Sequence, residues 1–409
     1  MTPRVFFWVQ HLLGIGHLRR AATLARGLAQ RGFDVLLVSG GAPVPGLDLG
    51  QARLHLLPPL RARDASLREL SRPDGTPPDE AFYAARTAEL LGLLRTEAPD
   101  IVITEQFPFG RTRLRFELLP MLEAARDLPK RPRIFVSVRD VLRDTVNDAR
   151  VAETLEIFDR HFDGVLVHAD PGLIALDRSF RGRARLGDRV HYTGYIAESD
   201  LSPKGRQGSG EIVVSVGGGA VGAPLLRAAL AARPLTSLKD RVWRLLMGAN
   251  LDPSEAEKLR RDASAGGPGD MPGNIPGDII VEPARGDFVT LLTNATLSIS
   301  QAGYNTVVET LACADRAVLV PFATDRETEQ TIRARAVVAR GGAQMVEGAA
   351  LDGPALAAAI ERALAGPSLR SLPKLDVSGV ATTAALIRHH LDRGPPGPLM
   401  SGAGAPRSA

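Results

Sequence analysis

The same local pattern opens both halves of the chain, and it narrows the fold more than any other feature. An apolar strand-like run, Val5–Val9, leads into the glycine turn Gly14-Ile15-Gly16. A segment follows in which Leu18, Ala21, Ala22, Ala25, Leu28 and Ala29 recur at helical spacing. Gly32 ends that helix, and Val35–Val38 reads as the next strand. The cycle restarts at Glu211–Val216, with a turn at Gly217-Gly218-Gly219 and a helix over Ala223–Ala232. Parallel strands need such crossovers, and near-continuous apolar strands suit a sheet buried on both faces.

Further segments fit the alternation. Leu54–Leu57, Ile101–Thr104, Ile134–Val138, Val165–Val167 and Val190–Tyr192 read as strands of a first half, with helices over Ala81–Arg95 and Leu114–Arg126. Pro120 is expected to kink or divide the second of these helices. Val242–Met247, Ile279–Val281, Leu297–Ser300 and Ala317–Val320 are strands of a second half, and Ala334–Arg340 and Pro354–Ala365 are among its last helices. The predicted class is α/β, two doubly wound domains in tandem with a cleft between them. The turn-rich stretch 202–210 is the linker, which gives domains at 1–201 and 211–393. Residues 263–277 read as a mobile loop, and 394–409 as a disordered tail rich in Gly, Pro and Ser.

Composition removes several alternatives. The 409 residues suffice for about two domains. The one cysteine, Cys313, excludes an intrachain disulfide and a cysteine-ligated zinc cluster. The net charge is +4 and only five of the 50 basic residues are lysines, but no nucleic-acid motif accompanies them. The arginine surplus is read as a compositional habit. No early stretch is apolar enough to cross a membrane, so the expected location is cytoplasmic. Arg111, Arg113 and Arg115 interleave with Leu114 and Phe116, a pattern that suits peripheral contact with an anionic membrane; the plainer reading is a solvated helix face.

Four segments carry candidate chemistry. His17 stands at the start of the helix that follows Gly14 and Gly16, where backbone N–H groups approach a substrate oxygen and an imidazole acts as a general base. The alternative is a polar helix cap, and His11 is a structural or positioning neighbour. The turn at Gly218 and Gly219 suits close approach of a diphosphate, or is simply a tight turn; the lysine and Ser/Thr of a P-loop are absent. In the run from Gln301 to Glu309, Gly303 permits tight entry into a helix, and Asn305 and Thr306 fall in its first turn. Glu309 shares a face with Asn305 at i+4, where a carboxylate can take both ribose hydroxyls. Glu329 and Gln330 follow the strand Ala317–Val320 and are placed to hydrogen-bond sugar hydroxyls. Glu105, Arg139 and Asp140 lie just after or at the ends of strands in the first half.

The order of these motifs resembles the GT-B glycosyltransferases and looks closest to glycosyltransferase family 28. That family is known for adding N-acetylglucosamine to the lipid-linked peptidoglycan precursor. The similarity in motif order spans nearly the whole chain and is strongest from Thr296 to Gly342. It implies two Rossmann-like domains, the C-terminal one holding a nucleotide-sugar donor and the N-terminal one an acceptor. By carry-over Glu309 meets the ribose, and Asn305 and Thr306 meet the diphosphate with Gly218 and Gly219. Gln330 meets the donor sugar, and His17 lies beside the reacting centre.

Gln301 stands where related enzymes often carry Arg or His, and Glu329 where they often carry His or Asp, so the donor sugar is left unnamed. The acceptor is lipid-linked or a small molecule, and Gly14, Gly16, Glu105, Arg139 and Asp140 form its side. No Asp-x-Asp occurs, so a metal-bridged diphosphate is not indicated and no cofactor or metal is expected, only the nucleotide-sugar co-substrate. The Gly14–Arg20 segment is also similar to the UDP-sugar hydrolase of the pseudaminic-acid pathway. The expected function is therefore sugar transfer from a nucleoside diphosphate sugar, with a UDP-sugar as the expected donor. A UDP-sugar hydrolase or 2-epimerase and a non-catalytic nucleotide-sugar-binding protein are the alternatives.

Overall fold

The computed structural model describes residues 2–12, 14–63, 69–142, 147–197, 201–217, 222–248, 251–264, 279–323 and 328–394. The chain divides into two compact units. The first comprises Met1–Pro171, Ala175–Ile196 and the stretch from Ser378 on; the second comprises Gly172–Ile174 and Ala197–Val377.

Strands of the first unit are β1 (Arg4–Val9), β2 (Asp34–Ser39), β3 (Arg53–Leu56), β4 (Arg61–Ala62), β5 (Leu70–Ser71), β6 (Ile101–Glu105), β7 (Arg133–Arg139), β8 (Gly164–His168) and β9 (Val190–Tyr192). Seven of them form one sheet in the order β3-β2-β1-β6-β7-β8-β9, while β4 and β5 pair as a separate ribbon. Every pairing in the large sheet is parallel. Phe7 lies between Leu37 and Ile103 in the register, and Phe6, Phe7 and Trp8 are fully buried. Burial on both faces explains why these strands read as unbroken apolar runs.

The second unit repeats the scheme with β10 (Ile212–Ser215), β11 (Trp243–Met247), β12 (Ile279–Pro283), β13 (Leu297–Ser300), β14 (Ala317–Leu319) and β15 (Ala343–Met345). Their order is β12-β11-β10-β13-β14-β15, again parallel throughout. In both sheets the first strand is flanked on one side by the next strand and on the other by a later one. That reversal is the doubly wound signature, and ligands of such sheets bind at the carboxyl ends of the strands beside it.

Three local expectations change. The helix Arg115–Arg126 continues through Pro120. Leu118, Met121, Leu122 and Ala125 are fully buried, and their packing outweighs the roughly 3 kcal/mol a helix-interior proline costs. The stretch 202–210 is not a free tether. The Asn294 side-chain amide donates to the carbonyls of Gly205 and Gln207 at 3.1 and 3.0 Å, which fastens it to the second unit. The last helix, Gly379–Asp392, packs on the first unit rather than extending the second: Ala384 and Ile387 share a core with Val5, Phe7 and Leu28. Most of the expected loop at 263–277, and all of the expected tail but Gly394, lie outside the described residues.

The last helix meets the first unit at Gly379. Its N–H donates to Tyr195 O at 3.1 Å, and a Cβ on Gly379 would lie 2.6 and 2.7 Å from the carbonyl oxygens of Tyr195 and Gly194. Backbone cannot give way as a side chain can, so Gly379→Ala should destabilise the first unit by about 1–3 kcal/mol. Thermal unfolding should show a lower midpoint, whereas an unchanged midpoint would contradict this docking.

Candidate active site

In the first unit polar groups gather at the carboxyl ends of β1 and β6, the two strands at the order reversal. No side chain caps the start of the helix Gly16–Ala29, so its first N–H groups retain the partial positive charge of a helix N-terminus. Gly14 is exposed, and a Cβ on it would meet nothing within 4 Å. Gly16 is different, because a Cβ there would lie 2.8 Å from Nη2 of Arg139. The glycine admits that guanidinium against the helix start.

His17 and Glu105 meet directly. Nδ1 of His17 lies 2.8 Å from Oε1 of Glu105, the last residue of β6, and the imidazole is 20% exposed while the carboxylate is fully buried. Arg20, one turn after His17, donates through Nη2 to the same carboxylate oxygen. A carboxylate accepts only, so Nδ1 of His17 carries the proton and Nε2 carries the lone pair. Burial, the largest cause, holds the imidazole pKa well below 6.5; the charges of Arg139, Arg111 and Arg20, and His11, push it the same way. A neutral ring with an oriented proton on one nitrogen is poised to take a proton at the other.

The neighbouring groups shape this centre. Arg111 donates through Nε to Gln10 O at 2.9 Å, at a backbone φ of +58°. His11 is buried against Gly41, where a Cβ would come within 2.2 Å of the ring. Asp140, expected on the acceptor side, has structural partners. It is fully buried, taking Val141 N at 2.8 Å and the Tyr195 hydroxyl at 3.2 Å, and so holds the chain after β7. Arg111, Arg113 and Arg115 do not form one exposed stripe: Arg115 pairs with Glu153, and Leu114 is fully buried.

The second unit builds a comparable position between β10 and β13. Gly217, at φ +63°, follows β10, and its N–H donates to Ser215 Oγ at 3.3 Å. Gln301 N donates to Ser215 O at 3.2 Å, which ties the two strand ends together. Gly303 precedes the helix Tyr304–Cys313, whose start no side chain caps. Asn305 and Thr306 lie in its first turn, and Thr306 Oγ1 sits 3.7 and 3.9 Å from where a Cβ on Gly217 or Gly303 would stand. The structure thus brings Gly217, Gly303 and Thr306 together. Glu309 follows one turn after Asn305 and is only 9% exposed. Gly218 and Gly219 lie outside the described residues.

Glu329 and Gln330 also hold the loops. Gln330 Oε1 accepts Ala302 N at 3.1 Å and Phe322 N at 3.0 Å, so it staples the segment after β13 to the segment after β14. Glu329 pairs at 2.7 Å with Arg333, which is fully buried and donates to Ala302 O at 2.8 Å. Sequence reasoning missed Arg20 and Arg333. Their signal was a basic residue within a buried helical face: Arg20 lies beside Ala21 and Ala22, and Arg333 beside Ala334.

Comparison with known proteins adds a likeness to one family over part of the chain. Residues 213–374 match the model of the glycosyltransferase family 28 C-terminal domain. Two UDP-N-acetylglucosamine–N-acetylmuramyl-(pentapeptide) pyrophosphoryl-undecaprenol N-acetylglucosamine transferases are similar in sequence. That of Rhodospirillum centenum is 28% identical over 364 residues, 86% of this chain and 84% of its own. That of Anaeromyxobacter sp. strain Fw109-5 is 36% identical over 84 residues, and the match spans 20% of this chain and only 22% of its own. Among solved structures, MurG of Acinetobacter baumannii superposes with a TM-score of 0.54 at 17% identity, covering 95% of this chain and 99% of that one. The structural likeness bears on the fold, two Rossmann-like domains of the GT-B class.

Acid should loosen the first unit. His11, His17, His161, His168, His191 and His390 all have pKa values below 6.5, with burial the largest cause in each, and His161 and His390 fall to about 4. A histidine depressed on folding binds its proton more readily when unfolded. Its contribution is intact above the unfolded value and is lost as pH falls toward the folded one. The unfolding midpoint should stay level above about pH 7 and decline from about pH 6.5 to pH 4. A midpoint unchanged down to about pH 4 would contradict these directions.

Proposed function

We propose that this chain, a glycosyltransferase resembling family 28, moves a sugar from a nucleoside diphosphate sugar, a UDP-sugar, to an acceptor hydroxyl without a metal. The observation that carries the reading is the His17–Glu105 pair at the carboxyl ends of the strands: a neutral imidazole, its Nδ1 proton held by a buried carboxylate. In the reaction Nε2 of His17 takes the proton of the acceptor hydroxyl. The acceptor oxygen bonds to the anomeric carbon of the sugar, the bond from that carbon to the phosphate oxygen breaks, and the diphosphate leaves with the electron pair. The Glu105 carboxylate, which also accepts from Arg20, stabilises the imidazolium.

The leaving diphosphate falls to the second unit. Negative charge that develops on it is met by backbone N–H groups at the start of the helix Tyr304–Cys313, with Asn305 and Thr306 in its first turn. The chain contains no Asp-x-Asp run, so helix termini take the neutralising role in this reading. Glu309 binds the ribose hydroxyls. Gln330 offers its amide N–H groups to the donor sugar, because its contacts with Ala302 N and Phe322 N use the oxygen. Gly218 and Gly219 join this donor side, and Gly14, Gly16, Glu105 and Arg139 line the acceptor side. The sequence relatives are named for a lipid-linked acceptor. A lipid-linked acceptor is accordingly our first choice for this chain, with the enzyme working at the cytoplasmic face of a membrane. No helix among the described residues is long and apolar enough to cross one.

Donor consumption measured with and without candidate acceptors tests the reading. Transfer should require acceptor and release nucleoside diphosphate; consumption or isomerisation without acceptor would mark a hydrolase or 2-epimerase, and binding alone a non-catalytic protein. His17→Ala should lower kcat by about 10²–10⁴-fold. It should leave the thermal stabilisation by UDP unchanged, since donor binding belongs to the other unit. Glu309→Gln should raise the donor KM by about 10–100-fold with little change in kcat. Full activity of both variants would sink the site assignment.

A further inference from the structure

The Glu105 carboxylate has a second oxygen, and its partners lead away from His17. Oε2 lies 2.7 Å from Ser137 Oγ, which lies 3.0 Å from Nε2 of His168. Nδ1 of His168 lies 2.8 Å from Thr193 Oγ1. Glu105 and His168 are fully buried, and Ser137 and Thr193 are 1% exposed. The four residues come from neighbours in one sheet. Glu105 ends β6, Ser137 lies opposite it on β7, His168 ends β8, and Thr193 follows β9. Buried polar groups are costly unless satisfied, and this row satisfies itself.

Counting protons fixes its direction. An ionised carboxylate accepts only, so the single Ser137 hydroxyl proton goes to Glu105. Ser137 Oγ must then accept from His168, which places a proton on Nε2. Burial above all, and then the charge of Arg20, holds the His168 pKa well below 6.5, so the ring is neutral and Nδ1 has none. Nδ1 then has only a lone pair to offer Thr193 Oγ1, whose hydroxyl also lies within reach of Gly194 O at 3.0 Å and Val167 O at 3.3 Å. The protons of His168 Nε2 and Ser137 point toward Glu105, while His17 and Arg20 supply the donors at its other oxygen.

We propose that Ser137 and His168 are positioning residues for His17. The row fixes the orientation of the Glu105 carboxylate and spreads its charge, and Glu105 in turn holds His17 as the Nδ1–H form. The proposal rests on His17 being the base. The charged and titratable groups that face His17 are Glu105, Arg20, Arg111, Arg139 and His11, and Arg20 also faces His168. Neither Ser137 nor His168 touches substrate in this scheme. Loss of the Ser137 donor frees the Glu105 carboxylate to rotate, which loosens its hold on the His17 tautomer.

The test is long-range proton–nitrogen NMR of the full chain labelled with nitrogen-15 histidine, followed from roughly pH 5 to pH 8, the range in which histidine ordinarily titrates. The parent protein should show His17 as Nδ1–H and His168 as Nε2–H. Ser137→Ala and His168→Ala should each shift His17 toward the other tautomer. His168→Gln carries an amide N–H that reaches the Nε2 position, and it should restore the parent signals. An Nδ1–H form of His168 in the parent would overturn the proposal, as would identical His17 signals in the parent and Ser137→Ala. The parent tautomer decides the matter even if a variant fails to fold. The readout needs neither donor nor acceptor, so sugar transfer can fail while these signals hold, and the signals can fail while transfer proceeds.

Discussion

A sheet of parallel strands whose crossovers leave its first strand in opposite senses has one place where neighbouring loops part. The carboxyl ends of the two strands at that place face a gap instead of a packed connection. Both units of this chain obey that constraint, with β1 beside β6 in one and β10 beside β13 in the other. The polar groups follow from it. His17 is carried by the connection after β1 and Glu105 ends β6; Gly217 follows β10, and Gln301 to Thr306 follow β13. The strands themselves are apolar, so chemistry is confined to their ends and to the helix starts beyond them.

Charge inside these units is managed by arginine. Arg20, Arg86 and Arg333 are among the largest fully buried side chains. Arg20 holds Glu105, Arg86 holds Glu117 together with the carbonyl of Gly40, and Arg333 holds Glu329 and Ala302 O. A planar fork of donors suits such multiple contacts better than a lysine ammonium does. A buried ion pair is weak evidence for stability, since desolvation offsets the attraction. At Glu105 its effect is on orientation and charge. These three arginines thus have a task that composition alone does not explain. In the Arg111–Arg115 cluster, which suggested membrane contact from its sequence, Arg111 holds Gln10 O and Arg115 pairs with Glu153 at the surface, while Arg113 is exposed.

Much of the fold was legible because parallel strands leave a strong apolar signature. Val190–Tyr192 and Leu297–Ser300 match the observed strands residue for residue, and most others agree within two residues at each end. The two strand-turn-helix openings identified the α/β class. Legibility failed where tertiary packing decides. The helix Gly379–Asp392 has no local mark that assigns it to the first unit, and Pro120 carries a helix-breaking signal that buried neighbours override. At the site, His17 and Glu105 were each recognisable from position, but their contact joins residues 88 apart in the chain. Ser137, His168 and Thr193 were not recognisable, because single polar residues in apolar strands gain meaning only from register. Gln330 stood out in the sequence as a candidate, yet its oxygen is occupied by backbone N–H groups that no spacing rule reveals.

The central claim is a division of labour: the donor nucleotide belongs to the second unit and the proton-accepting centre to the first. Amide hydrogen exchange of the full chain with and without UDP tests it most directly, because protection reports where a ligand restrains the backbone. The account predicts slower exchange from Gln301 to Thr310 and in the segment after β10, with the start of the helix Gly16–Ala29 and the residues after Glu105 unchanged. Protection confined to those first-unit segments would contradict it.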